Sequence, residues 1–185
     1  MKAKITALPK AEEKLKELTI PTVMPGEFVE GVLKEEGYVL QDGQGPDIPG
    51  LGVEVKSRCN TATSPNTVGK MSVADIINTP YRESPIFKKI QLQFRVVYDK
   101  YTREVLNPKI VDFTDKHIQE IIEDAYETGR QQFKEGLRGP YIKGTQWGHW
   151  ELDKQTQNSY SFRIPDKRMK DLVSMSTSSF NDLFE

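Results

Sequence analysis

The segment Gly45-Pro-Asp-Ile-Pro-Gly-Leu-Gly-Val-Glu-Val-Lys-Ser-Arg58 contains the residues that decide the fold and the chemistry of this chain. Its first half is rich in glycine and proline and predicts a turn, whereas its second half alternates valine with charged residues. That alternation predicts a strand over residues 51–57. Because successive side chains of a strand point to opposite faces, Glu54 and Lys56 should project together, with backbones about 6 to 7 Å apart.

A chain reversal before this strand would bring a second carboxylate to the same face. If the chain turns at Gly50-Leu51, as a two-residue hairpin with glycine first allows, Pro49 faces Gly52 and Asp47 lies opposite Glu54. The segment therefore predicts two carboxylates and an ammonium group on one face, next to a glycine-rich loop.

Paired carboxylates with few other ligands suit Mg²⁺, which prefers oxygen donors and keeps several waters, and Mn²⁺ is expected to substitute for it. A lysine beside them can orient or help to deprotonate a water molecule and can neutralise charge on phosphate oxygens. The combination predicts metal-assisted hydrolysis of a phosphodiester. The alternative is a surface hairpin in which Glu54 and Lys56 form only a marginal ion pair.

The pair Pro46-Asp47 followed by Glu54-Val-Lys56 resembles the signature of the PD-(D/E)xK nuclease superfamily. The sequence of residues 44–56 is similar to the sequences of the branch that contains the MutH mismatch-repair nickase and related type II restriction endonucleases. This resemblance implies a restriction-endonuclease-like α/β fold with a mixed central β-sheet flanked by α-helices. It implies Asp47, Glu54 and the carbonyl of Val55 as metal ligands and Lys56 as the catalytic lysine.

The same branch implies two further site residues. A second catalytic lysine at the start of the next strand is matched by Lys88, although strand alternation would instead put Lys89 on the polar face of that strand. A glutamate on an N-terminal helix is matched first by Glu30, with Glu35 and Glu36 nearby as alternatives.

Hydrophobic periodicity outlines the remaining elements. Residues 90–97 alternate almost perfectly, which predicts a strand with one face on a core and the other available to solvent or ligand. Apolar residues at helical spacing predict helices, and turn formers separate the elements. The further predicted elements are helices over 10–18, 25–37 and 114–133, a strand over 38–41, and a late hairpin over 147–164.

Composition places the chain among ordinary globular proteins. Its 185 residues are 36% hydrophobic and 29% charged, which predicts a single domain over 1–185. The sequence has no stretch apolar enough for a signal peptide or membrane span, so we expect a cytoplasmic, intracellular protein without a membrane partner. With Cys59 as its single cysteine and two histidines, a Cys/His zinc site is not expected.

Charge is distributed unevenly along the chain. Residues 56–109 contain ten Lys and Arg against four acids, an excess that favours phosphate as a partner. The alternative is that these charges lie on the solvated faces of ordinary elements. Later segments supply the Arg, Lys, Gln and Asn side chains that can read base edges, so we expect sequence recognition there. These segments are 138–143, 154–158 and 167–170.

The leading hypothesis is therefore a magnesium-dependent endonuclease that cuts double-stranded DNA at a specific sequence, of restriction or MutH-like nicking type. The resemblance implies products with a 5′-phosphate and a 3′-hydroxyl. One alternative is a structure-specific nuclease such as a junction resolvase. Another is a non-catalytic DNA-binding protein that retains the fold. Action as a homodimer is compatible with each of these hypotheses.

Overall fold

The computed structural model describes residues 7–177, which form two compact units that are interleaved along the chain. Unit 1 includes residues 7–62, 91–112 and 173–177, and unit 2 comprises residues 63–90 and 113–172. Each unit thus collects segments that are distant in sequence. The expectation of a single domain over residues 1–185 stays a prediction.

Helices and strands occur in both units. The helices are α1 (Ala7–Glu17), α2 (Pro25–Glu35), α3 (Val73–Asn78), α4 (Pro85–Lys89) and α5 (Lys116–Lys134). The strands are β1 (Val53–Cys59), β2 (Asn66–Ser72), β3 (Leu92–Tyr98), β4 (Lys109–Asp112), β5 (Tyr141–Thr145), β6 (Gly148–Leu152), β7 (Ser159–Ile164) and β8 (Val173–Met175). Short 3₁₀ turns cover Tyr81–Glu83 and Asp166–Asp171.

Unit 1 contains a mixed four-stranded sheet in the order β1-β3-β4-β8. Strands β1 and β3 are parallel, while the β3-β4 and β4-β8 pairs are antiparallel. Helix α2 packs against β1 and buries Val29, Val32 and Leu33, which recur at helical spacing. The helix ends before Gly37, whose φ of 90° is the left-handed conformation that glycine adopts without strain.

Unit 2 contains an antiparallel four-stranded sheet in the order β2-β7-β6-β5. Helix α5 packs on β5 and β6 and buries Tyr126 and Phe133. Trp150 of β6 and Phe162 of β7 join these rings in edge-to-face and tilted contacts. The core of this unit therefore contains a cluster of aromatic rings, beside aliphatic residues such as Ile122 and Ile142.

Most elements predicted from periodicity are confirmed. The helices predicted over 10–18, 25–37 and 114–133 correspond to α1, α2 and α5, and the strands predicted over 51–57 and 90–97 correspond to β1 and β3. The hairpin predicted over 147–164 is β6 and β7 with a turn over 153–158. Among the described residues, no helix has the combination of length and apolarity needed to cross a membrane.

The strand predicted over residues 38–41 is wrong. Residues 38–41 pair with no strand among residues 7–177. The amide of Tyr38 donates to the carbonyl of Leu33 at the end of α2, and the amide of Gln41 donates to the carbonyl of Asp47. Local β-propensity was sufficient to suggest a strand here, but a strand also requires a neighbour with which to form a ladder.

The α/β class is confirmed, with a mixed sheet in unit 1. The second sheet, in unit 2, was not anticipated. The polar face of β3, which was expected to be available to solvent or ligand, is closed to solvent, because Gln93 is 0% exposed and Arg95 is 5% exposed.

Candidate active site

The turn before β1 determines where Asp47 lies. Ile48 pairs with Val53 through amide-to-carbonyl hydrogen bonds of 2.9 and 3.3 Å in both directions. This is the register predicted for the hairpin, but the reversal spans the four residues 49–52 rather than Gly50-Leu51 alone. The positive φ, 65°, falls at Gly52, where the chain enters the strand.

Glu54 and Lys56 meet on one face of β1, as strand alternation predicts. The Nζ of Lys56 lies 2.8 Å from Oε1 of Glu54. The Glu54 side chain is 1% exposed and that of Lys56 is 30% exposed. A buried carboxylate requires a charged or hydrogen-bonding partner, and Lys56 supplies one.

The side chain of Asp47 is hydrogen-bonded to the backbone of the same strand. Its Oδ2 accepts a hydrogen bond of 2.7 Å from the backbone amide of Val55. Since β1 is the edge strand of its sheet and β3 occupies its other side, this amide faces the open edge. The amide and carbonyl of one strand residue point to the same side, so the carbonyl of Val55 faces the edge where Asp47 lies.

Glu30, on helix α2, belongs to the same acidic neighbourhood. Partial burial raises the pKa of its carboxyl group, and the negative charge of Asp47 raises this pKa further. Asp42, in the loop before the turn, adds to the shift. The charges of Glu30 and Asp47 are thus close enough to repel each other, which makes Glu30 a third carboxylate beside the site.

Lys88 and Lys89 lie in the last turn of helix α4, in unit 2. The argument from strand alternation that would have chosen Lys89 is therefore wrong, because neither residue belongs to a strand and β3 begins only at Leu92. Lys88 is exposed, whereas Lys89 is partly buried. A catalytic role for Lys88 stays a prediction from the resemblance.

Two residues of β3 lie on the same face of the sheet as Glu54 and Lys56, and sequence reasoning did not include them among the site residues. The parallel register pairs Glu54 with Gln93 and Lys56 with Arg95, and paired residues of neighbouring strands share a face. The alternation of 90–97 had marked these side chains as polar. Only the pairing of β1 with β3 places them beside Glu54 and Lys56.

The donor atoms at this site fit magnesium. Among residues 7–177, no group of three or more His, Cys, Asp or Glu side chains is arranged to hold a metal ion. Magnesium does not require such a group, because it is commonly bound by one or two carboxylates and completes its shell with water and substrate phosphate. Asp47, Glu54 and the carbonyl of Val55 provide hard oxygen donors of this kind.

The architecture defines a class of protein: the chain has the fold of a restriction endonuclease. A solved structure of the restriction endonuclease MvaI in complex with its cognate DNA substrate is similar to it, with a TM-score of 0.50 and 9% sequence identity. The similarity covers 94% of this chain and 98% of that chain. No protein-family model and no curated protein matches the sequence.

Proposed function

We propose that this protein is a magnesium-dependent endonuclease that hydrolyses phosphodiester bonds of double-stranded DNA, of the restriction or MutH-like nicking type. The observation that carries the proposal is the grouping of Asp47, Glu54 and Lys56 around the backbone of Val55. The restriction-endonuclease fold and the oxygen donors of the site both support a nuclease. The site carries the argument, because one fold can host many activities.

The residues of the chain have separate tasks in this reaction. Lys56 orients the attacking water and neutralises negative charge that develops on the phosphate oxygens. Glu54 holds the Lys56 ammonium in place through the 2.8 Å contact. The Val55 amide fixes the orientation of the Asp47 carboxylate. Near-complete burial of Glu54 strengthens these interactions because water competes for them less.

Magnesium, for which Asp47, Glu54 and the Val55 carbonyl are the proposed ligands, supplies polarisation of the scissile phosphate when bound. Glu30 lies close enough to Asp47 to share in the charge balance of the site. Mn²⁺, which accepts the same oxygen ligands, is expected to support the reaction as well.

A direct test is incubation of supercoiled plasmid and linear duplex DNA with the full chain, in magnesium and in EDTA. We expect cleavage in magnesium alone, with 5′-phosphate and 3′-hydroxyl ends. The variants Asp47→Asn and Glu54→Gln should lose cleavage, whereas Lys116→Ala should behave as wild type because the Lys116 side chain is 90% exposed on α5. Equal cleavage in EDTA, or full activity of Asp47→Asn, would refute the proposal.

One observation also favours a non-catalytic DNA-binding protein. The contact between Lys56 and the buried Glu54 carboxylate is the kind of ion pair that can hold a strand edge together. In that case DNA binding would be the same in magnesium and in EDTA. Asp47→Asn would then bind DNA as wild type does, and the wild-type protein would leave every DNA substrate intact.

A further inference from the structure

The sheet of unit 2 has one polar and one apolar face. Antiparallel pairing aligns Lys70 with Ser161, and Ser161 with Glu151, across three neighbouring strands. A second row aligns Arg163 with His149. Directly paired residues share a face, so these side chains form one polar surface, while the alternate residues, Trp150 and Phe162 among them, face the aromatic core.

Side-chain contacts organise the polar surface around Glu151. One carboxylate oxygen of Glu151 lies 3.0 Å from Nε2 of His149, and the other lies 3.2 Å from Nη1 of Arg163. The ring of His149 in turn packs on Tyr141, with ring centroids 4.7 Å apart. Glu151 therefore holds both the imidazole and the guanidinium in defined positions.

An open groove of about 510 Å³ runs along this surface, and Lys70, Glu151, Arg163, Lys154 and Gln155 are among the residues that line it. Lys154 and Gln155 belong to the exposed turn between β6 and β7. Lys70 pairs with Asp153 at the start of that turn. The groove thus combines several hydrogen-bond donors with carboxylate acceptors.

This mixture of donors and carboxylates suits the edge of a base pair better than a phosphate group. Carboxylates in a groove disfavour a phosphate, whereas the exposed edges of base pairs present both donors and acceptors in the major groove. The cations Lys70, Lys154 and Arg163 outnumber the carboxylates Glu151 and Asp153, which keeps the groove attractive to a polyanion.

Arg163 is held by an ion pair and remains partly exposed. Its guanidinium forms an ion pair with Glu151 through Nη1, and its buried Nε has no hydrogen-bond partner among the described residues. The side chain is 29% exposed. A guanidinium that is oriented by a carboxylate and still partly exposed can form a bidentate contact to the O6 and N7 atoms of guanine.

We propose that this groove reads base edges in the major groove of double-stranded DNA, with Arg163 as the residue that contacts a guanine and Glu151 as the residue that positions it. The inference rests on the proposed function, since it assigns the sequence recognition that such an endonuclease requires.

The test is a binding selection that does not depend on cleavage. The full chain is incubated in EDTA with a random-sequence duplex library, and retained duplexes are sequenced for wild type, Arg163→Ala, Arg163→Lys and Glu151→Gln. We expect wild type to enrich a motif that contains a G·C pair. Arg163→Ala should lose the preference at one position and bind the enriched duplex about 5- to 100-fold more weakly.

The other variants separate base reading from charge and from folding. Arg163→Lys keeps the charge but lacks the planar fork, so it should retain affinity for non-specific duplex and lose the guanine preference. Glu151→Gln should weaken the same preference. Lys116→Ala, which removes an exposed cation of α5, should enrich the wild-type motif, and thermal unfolding should show that every variant is folded.

Two outcomes would overturn the inference: a wild-type protein that enriches no motif, or an Arg163→Lys protein that enriches the wild-type motif with unchanged affinity. Failure of the proposed function has a different signature. If the wild-type protein enriches a motif but leaves DNA that contains this motif intact in magnesium, the assignment of the groove to base recognition stands and the nuclease proposal is refuted.

Discussion

The sheets of units 1 and 2 each have a polar face, but the polar side chains differ in exposure. In unit 1, Glu54 is 1% exposed and its strand neighbour Gln93 is 0% exposed. In unit 2, the Lys70 side chain is 47% exposed and Tyr141 is 53% exposed. The same alternation of polar and apolar residues thus gives a face that is buried around Glu54 in unit 1. In unit 2 the outer residues of the polar face reach solvent, while His149 and Ser161 between them are buried.

The difference in exposure suits different tasks. Electrostatic interactions are stronger where water is excluded, so the buried face of unit 1 suits stabilisation of charge during a reaction. Exposed donors and acceptors remain able to meet the edges of a large ligand, so the face of unit 2 suits recognition.

The largest expected effect comes from removing one lysine from each polar face. Lys56→Ala should lower the single-turnover rate of DNA cleavage in magnesium by about 10²- to 10³-fold, because a group that stabilises developing charge is lost. Lys70→Ala should lower this rate by less than about 10-fold, since an exposed cation is screened by solvent. Similar losses in both variants would contradict the division between chemistry and recognition.

Packing can be compared with one glycine from each unit. A Cβ on Gly129 of α5 would lie 2.4 Å from Cδ1 of Trp150, so Gly129→Ala should lower the free energy of unfolding by about 1 to 3 kcal/mol. A Cβ on Gly31 of α2 would meet nothing within 4 Å, so Gly31→Ala should raise it by about 0.5 to 1 kcal/mol. Urea denaturation measures both. An unchanged midpoint for Gly129→Ala would show that Trp150 can move aside.

Magnesium should stabilise unit 1 in particular. At about ten times its dissociation constant, a ligand bound to the folded state adds about 1.4 kcal/mol, which raises the midpoint of thermal unfolding by about 3 to 6 °C. Hydrogen exchange should slow in β1 and stay unchanged in β7, because the proposed ligands Asp47 and Glu54 belong to unit 1. Asp47→Asn should abolish the shift. Equal protection of both strands would indicate non-specific binding.

The smallest effect concerns Glu30. Because its pKa is raised in the folded state, the stability that its protonated form contributes is present at low pH and is lost as the pH rises through the raised pKa. Glu30→Gln should therefore raise the thermal midpoint above that of wild type at neutral pH in EDTA. This advantage should vanish on acidification. Asp124→Asn, an exposed change on α5, serves as the control in unit 2.

If the advantage of Glu30→Gln instead grew on acidification, repulsion between Glu30 and Asp47 would be ruled out as its cause. The measurement is a series of thermal unfolding curves from neutral pH down through the acidic range, for wild type and both variants. If the thermal midpoints of both variants changed with pH in the same way, net charge would control the stability difference, rather than the repulsion between Glu30 and Asp47.

Much of the proposed active site could be predicted from sequence because it is local. The spacing of Glu54 and Lys56 decides that they share a face, and their 2.8 Å contact follows from it. The pairing of Ile48 with Val53 has the register expected from the turn, although the turn itself is longer than expected. Asp47 then reaches the Val55 amide within the same dozen residues.

Other parts of the molecule could not be predicted because they depend on pairing between distant segments. Residues 38–41 have the composition of a strand but form no strand in the described part of the chain. Gln93 and Arg95 are polar in sequence but buried in the structure, where parallel pairing sets them beside Glu54 and Lys56. Lys88 and Lys89 were expected at the start of a strand and instead end a helix.

The sequence by itself determined the three longer helices, the strands β1, β3, β6 and β7, and the order of acid and lysine along β1, because periodicity and turn chemistry act over a few residues. Only the tertiary structure decided which strands pair and which polar face is buried. The physical reason is that backbone hydrogen bonds are the same for every strand, so the choice of partner and the exclusion of water depend on side chains that are far apart in the chain.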